Sequence, residues 1–156
     1  MFKALVGIAF CLGMVNAAPV KAERYVRYHS EGKYNPEARA ELNNYYIFFV
    51  DVDSITKIGE YTLFKQTAEI YKLEADGSTQ LTEDKERVYV NAANCSKGML
   101  SRLGLPNPTW DYRQSNGEWW HKSEVLKGYR SDNWVLQRMA KAGDVMKENL
   151  FRMVCT

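Results

Sequence analysis

The chain has 156 residues, a formal charge of +2, and 46% hydrophobic, 26% charged and 13% aromatic residues. This is the composition of an ordinary globular protein with one core, and it excludes disordered, repeat and low-complexity classes. Basic residues are interspersed with acids and never gather into a run, which excludes a nucleic-acid footprint.

The chain opens with "MFKALVGIAFCLGMVNAA": one early charge at Lys3, an apolar run from Ala4 to Val15, then small residues. This pattern predicts a cleaved secretory signal over residues 1–17, cut after Ala17, with Ala18 or Ala22 as alternative positions. The apolar run, about a dozen residues, is too short to cross a hydrocarbon core of about 30 Å, so the mature chain is expected to carry no membrane span. Cys11 follows the bulky Phe10, which argues against lipidation, and it is expected to leave with the signal.

Residues 18–44 read as an N-terminal leader. Within it, "RYVRYHS" (Arg24 to Ser30) alternates like a short edge strand, and "NPEARAELNN" places Pro36 after a capping Asn35, which predicts about two turns of helix. The domain proper is expected over residues 45–156. "YYIFFVDVDSI" (Tyr45 to Ile55) is rich in aromatic and β-branched residues and apolar on both faces at first, which predicts a central strand. After a turn at Gly59, "YTLFKQTAEIYKLE" predicts a long strand with Thr62, Phe64, Ala68 and Ile70 on one face. Asp76-Gly77 marks a turn, and a polar connection leads to the strand "ERVYVNAANC", which delivers Cys95 at its end.

A loop with Pro106 and Pro108 precedes "TWDYRQSNGEWWHKSE", two aromatic stretches about Asn116-Gly117 and the strongest hairpin signal in the chain. "NWVLQRM" (Asn133 to Met139) reads as one last strand. "GDVMKENLFRMV" then predicts a helix capped by Asp144, with an apolar stripe of Val145, Met146, Leu150, Met153 and Val154. The order of elements gives an α+β fold: an antiparallel β-sheet with a C-terminal α-helix packed on it.

Two cysteines, Cys95 and Cys155, remain in a chain bound for an oxidising compartment. An intramolecular Cys95–Cys155 bridge is the expected state, with free thiols or an intermolecular bridge as the competing readings. It would close a loop of about sixty residues and stabilise the fold by about 4 kcal/mol on the chain-entropy account. It would also make Cys155 the anchor of a terminus that otherwise frays.

The strand "YYIFFVDVDSI" leading into "YTLFKQTAEI", the cysteine-ended "ERVYVNAANC", Gly117, the tryptophan-led "NWVLQRM" and a final helix closing on "VC" together resemble the surface-adhesin protein E family of Gram-negative bacteria. The similarity runs from about Tyr45 to Cys155. The resemblance implies an antiparallel sheet with a disulfide-tied C-terminal helix, secreted or held at the cell surface, without a catalytic site. It also implies adhesin-like binding of host extracellular-matrix or serum proteins. The "NPEARAELNN" segment and a longer stretch between Gly117 and Cys155 depart from the family pattern.

Chemistry must be sought in the residues as well. Asp51 and Asp53 share a strand face and have the types of an acid and base pair or a calcium site, but "DVDSITKIGE" lacks further regularly spaced oxygen ligands, so they read as the polar end of a strand. His29 and His121 are isolated from cysteines and carboxylates at ligand spacing, and each reads as a surface or core histidine. Ser123, His121 and Asp132 have the types of a nucleophilic triad without any framing signature. No enzyme activity, metal or cofactor is therefore expected.

The binding potential lies in Trp110, Tyr112, Trp119 and Trp120, because tryptophan and tyrosine dominate interface hot spots. Adjacent Trp119 and Trp120 should point to opposite sheet faces, so at most one enters the core from that strand. The expected function is that of a non-enzymatic exported protein, periplasmic or on the outer surface, that binds a protein partner; a second copy of this chain fits equally. The alternatives are a periplasmic carrier of haem or metal through His121 and a structural envelope component.

Overall fold

The computed structural model describes residues 23–39, 42–101, 105–128 and 130–156. The expected signal over residues 1–17, with Cys11, lies outside them. The described residues form β1 (Tyr25–Glu31), β2 (Asn44–Ile58), β3 (Tyr61–Leu73), β4 (Thr79–Asp84), β5 (Tyr89–Asn94), β6 (Met99–Ser101), β7 (Trp110–Arg113), β8 (Trp119–His121), α1 (Lys122–Lys127) and α2 (Trp134–Val154).

The strands make one antiparallel sheet in the order β1-β2-β3-β5-β6-β7-β8, with β4 also on β3. Strand β3 holds two partners along one edge because it is 13 residues long. Its first half, Thr62 to Gln66, pairs with β5, and its second half, Glu69 to Leu73, pairs with β4. The expected polar connection after Asp76-Gly77 is thus largely a strand, which its exposed, alternating "TQLTED" did not announce.

Strand β1 pairs with β2 from Tyr25↔Asp51 to Glu31↔Tyr46, so the leader expected over 18–44 contributes an edge strand to the sheet. The helix expected in "NPEARAELNN" is not formed by its described residues, which turn at Pro36 to Ala38. The cause is a clamp of buried Asn43: its Oδ1 accepts from Asn35 N at 2.8 Å and its Nδ2 donates to Asn35 O at 3.1 Å. Asn44 already belongs to β2, so the chain there must close a loop rather than wind on.

One face of the sheet carries Val50, Phe64, Ala93, Leu100 and Trp119, and α2 lays Leu150 and Val154 upon it. Burial of such side chains stabilises the fold by about 1.5–3 kcal/mol each. We call this the inner face. Cys95 follows β5, and Cys155 ends α2; they form a disulfide with S–S 2.06 Å and Cα–Cα 5.5 Å, packed against the core. The sheet, the packed C-terminal helix and the disulfide expected from the sequence are all present.

The helix begins ten residues before the expected cap. "NWVLQRM" is not a strand: it is the first two turns of α2, whose N-cap Asn133 accepts from Val135 N at 3.0 Å and Leu136 N at 3.3 Å. Asp144 is not a cap but a buried residue inside the helix. Val145, placed in the apolar stripe by the sequence, is 55% exposed. Among the described residues no helix is long and apolar enough to cross a membrane.

Candidate functional site

The hairpin from β7 to β8 turns as the sequence predicts. Gly117 N donates to Gln114 O at 3.0 Å, and Gly117 adopts φ +85°, a conformation that a Cβ would strain. Arg113 lies opposite Trp119, Tyr112 opposite Trp120 and Asp111 opposite His121. Directly opposed residues share a face, and faces alternate along each strand. Trp119 and Asp111 therefore look inward, while Trp110, Tyr112 and Trp120 look outward.

Trp119 is 1% exposed and meets Phe151 of α2 edge to face at 5.3 Å. Sequence reasoning grouped it with the partner-binding candidates; the fold makes it a core residue. The other three are brought together on the outer face, each half-buried. Two further residues join them: Met99, opposite Tyr112 in β6, and Tyr61 of β3, whose ring lies 5.7 Å from that of Trp110. Neither was nominated from sequence, since only strand pairing places them there.

The outer rings are held in place. Trp120 Nε1 donates to Glu118 at 2.9 Å, and chiefly that bond keeps the Glu118 carboxyl below its usual range. Behind them, Arg113 makes two bonds to Glu148 of α2, at 2.8 and 2.7 Å, and Arg152 adds a third at 2.9 Å. Burial pushes the Glu148 carboxyl up, but these bonds outweigh it and leave the group below its ordinary value. The hairpin is thereby braced against the helix, and its outer face is a rigid platform.

The residues considered for chemistry have structural work. Asp51 is buried, and its Oδ1 accepts from Arg24 N at 3.2 Å and Asp53 N at 3.1 Å where β2 loses register with β3. Asp53 lies 3.5 Å from the Arg24 guanidinium. His29 stacks on Phe48 at 6.0 Å and approaches Glu31 at 3.4 Å. His121 and Ser123 do meet, at 2.9 Å, but as a helix cap in which His121 Nδ1 accepts from Ser123 N and Glu124 accepts from His121 N. Asp132 stands in the exposed linker before α2. Among the described residues no group of three or more His, Cys, Asp or Glu side chains is placed to hold a metal ion.

Two features escaped the sequence. The helices carry large apolar side chains that are exposed: Leu126, Trp134, Leu136 and Met139, the first 77% exposed. Reading 133–139 as a strand hid that Trp134, Leu136 and Met139 share a helix. On the inner side, between the sheet and the middle of α2, lies a cleft of about 630 Å³. Two of its lining residues, Asp111 and Lys147, pair at 2.9 Å, and a third, Arg130, pairs with Asp144 at 3.0 Å.

Comparison with family models, curated proteins and solved structures found no match for this chain.

Proposed function

We propose that this chain is a non-enzymatic, exported binding protein that recognises a protein partner through the outer face of its β6–β8 sheet. The observation that carries this reading is the half-exposed, braced row of Trp110, Tyr112 and Trp120 beside Tyr61, on the face opposite α2. Rigid aromatic side chains give large contact area at low entropy cost, and interfaces concentrate their binding energy on them. Export to the periplasm or outer surface is supported by the N-terminal signal pattern, and the Cys95–Cys155 bridge suits an oxidising compartment. The resemblance to surface-adhesin proteins favours a matrix or serum protein as the partner.

The test is the binding of the oxidised mature chain to immobilised matrix and serum proteins. Saturable binding that falls about tenfold or more in the Trp110→Ala/Trp120→Ala double variant is expected, the scale of two modest hot spots. Equal binding by that variant would remove the site from this face.

Self-association is the second reading. It is favoured by the exposed Leu126, Trp134, Leu136 and Met139, apolar side chains of the kind that mark interaction surfaces. A mass that rises with concentration and returns to one chain on Trp134→Ala would establish it; a constant single-chain mass would exclude it.

A further inference from the structure

Helix α2 has a side turned away from the sheet that neither the core nor the outer aromatic row uses. At the helical repeat, Trp134, Arg138, Lys141 and Val145 fall within an arc of about 60°, opposite Leu150 and Val154, which face the sheet. All four are exposed, Trp134 at 72%. Val135, next to this arc, and Leu136 and Met139, nearer the sheet side, are exposed as well. Every residue from Asp132 to Met139 is exposed, so the first turns of the helix stand clear of the sheet. Four large apolar side chains bare within six residues are a cluster of the kind that marks a contact surface.

The free charge of this stretch has one sign. Both acids of α2 are taken up: Asp144 is buried against Arg130, and Glu148 pairs with Arg113 and Arg152. Lys147 is occupied by Asp111. Arg138 and Lys141 form no ion pair among the described residues, and no acid lies between Asn133 and Gly143. Asp132, just ahead of the helix, is the nearest acid in the chain.

Charge and shape together select the occupant. Two copies meeting on this side would oppose cations, which disfavours a second chain. A folded acidic protein would need a groove matched to a convex helical turn. A lipid interface yields to what enters it: it takes tryptophan at headgroup level, buries aliphatic side chains just beneath, and lets Arg and Lys reach its phosphates. Among the described residues no helix is long and apolar enough to cross a membrane, so the contact is that of a helix lying on a surface.

We propose that the solvent side of the first half of α2 docks on an anionic phospholipid surface, with Trp134 entering the headgroup layer and Arg138 and Lys141 pairing with lipid phosphates. This goes beyond the proposed function: the outer aromatic row lies on the opposite face of the sheet and stays free for its protein partner.

The test is co-sedimentation of the oxidised mature chain, at low salt, with vesicles of phosphatidylcholine alone and with about one-third phosphatidylglycerol. Saturable binding to the anionic vesicles is expected, about tenfold or more tighter than to the neutral ones. Arg138→Gln/Lys141→Gln should weaken it about tenfold or more, the scale of two cations near a charged surface, and Trp134→Ala should weaken it too. These side chains are exposed, so both variants should melt as the parent does. The Trp110→Ala/Trp120→Ala variant should bind the vesicles as the parent does, which separates this site from the outer row. No binding to anionic vesicles, equal binding to both kinds, or undiminished binding in either α2 variant would overturn the proposal. Loss of vesicle binding in the outer-row variant would overturn it as well. So would binding to poly-glutamate as tight as to the anionic vesicles, which would assign this side to an acidic chain, or a doubling of mass without vesicles that Trp134→Ala abolishes, which would assign it to a second copy.

Discussion

Trp119 and Trp120 are neighbours with opposite fates, and the difference between them is the sharpest residue-scale prediction. Trp119→Ala removes a ring that is 1% exposed and packed on Phe151, so chemical denaturation should show a loss of about 3–5 kcal/mol. Trp120→Ala removes a half-exposed ring and should cost about 1 kcal/mol or less. Equal losses would mean that the faces are wrongly assigned. The alternation of a strand is legible in "WWH", and so is the conclusion that the two rings part. Which of them enters the core was not legible, because Phe151, a residue 32 positions beyond Trp119, decides it. Asp111 is similar: nothing local to "TWDYR" shows that its carboxylate will be buried against Lys147 of a distant helix.

At the scale of elements, Glu148 joins hairpin to helix, and its titration reports that junction. Its folded value lies below the ordinary 4.5, so on acidification the unfolded chain takes up the proton first. The stability it contributes is complete above pH 4.5 and is lost as the pH falls through its folded value. The melting temperature should therefore fall on acidification in this range, and Glu148→Gln should flatten the fall; an unchanged profile would show that the Arg113 and Arg152 bonds contribute nothing in solution. The strands β2, β3 and β5 and the β7–β8 hairpin were legible, since aromatic and β-branched runs bounded by Gly59, Asp76-Gly77 and Asn116-Gly117 have few other solutions. Helix α2 was only half legible. "NWVLQRM" has strand-like composition, and Gly143 with Asp144 imitates a helix start, so the local signal stopped at the wrong residue. What overrides it is tertiary: Asp144 accepts Trp119 N at 2.9 Å and pairs with Arg130, which holds the middle of one continuous helix against β8. Short β6 and polar β4 carry almost no period of their own and follow from their partners.

For the whole molecule, the disulfide connects the end of the chain to the middle of the sheet across 60 residues. Reduction, or Cys155→Ser, should cost about 4 kcal/mol and lower the melting temperature substantially. Identical melting with and without reductant would contradict the anchoring role. The same architecture separates two faces: an inner one shared by core and cleft, and an outer one with its aromatic row. The separation could not be read from composition, which counts the tryptophans without sorting them. Hydroxyl-radical footprinting of the chain alone and in the presence of the proposed matrix or serum protein partner at saturation tests this arrangement most directly. In the free chain Trp110, Tyr112 and Trp120 should be labelled and Trp119 spared, and in the complex those three should become protected while Trp134 and Met139 stay reactive. Protection confined to Trp134 and Met139, with the outer row as reactive as before, would contradict the account and place recognition on the helices.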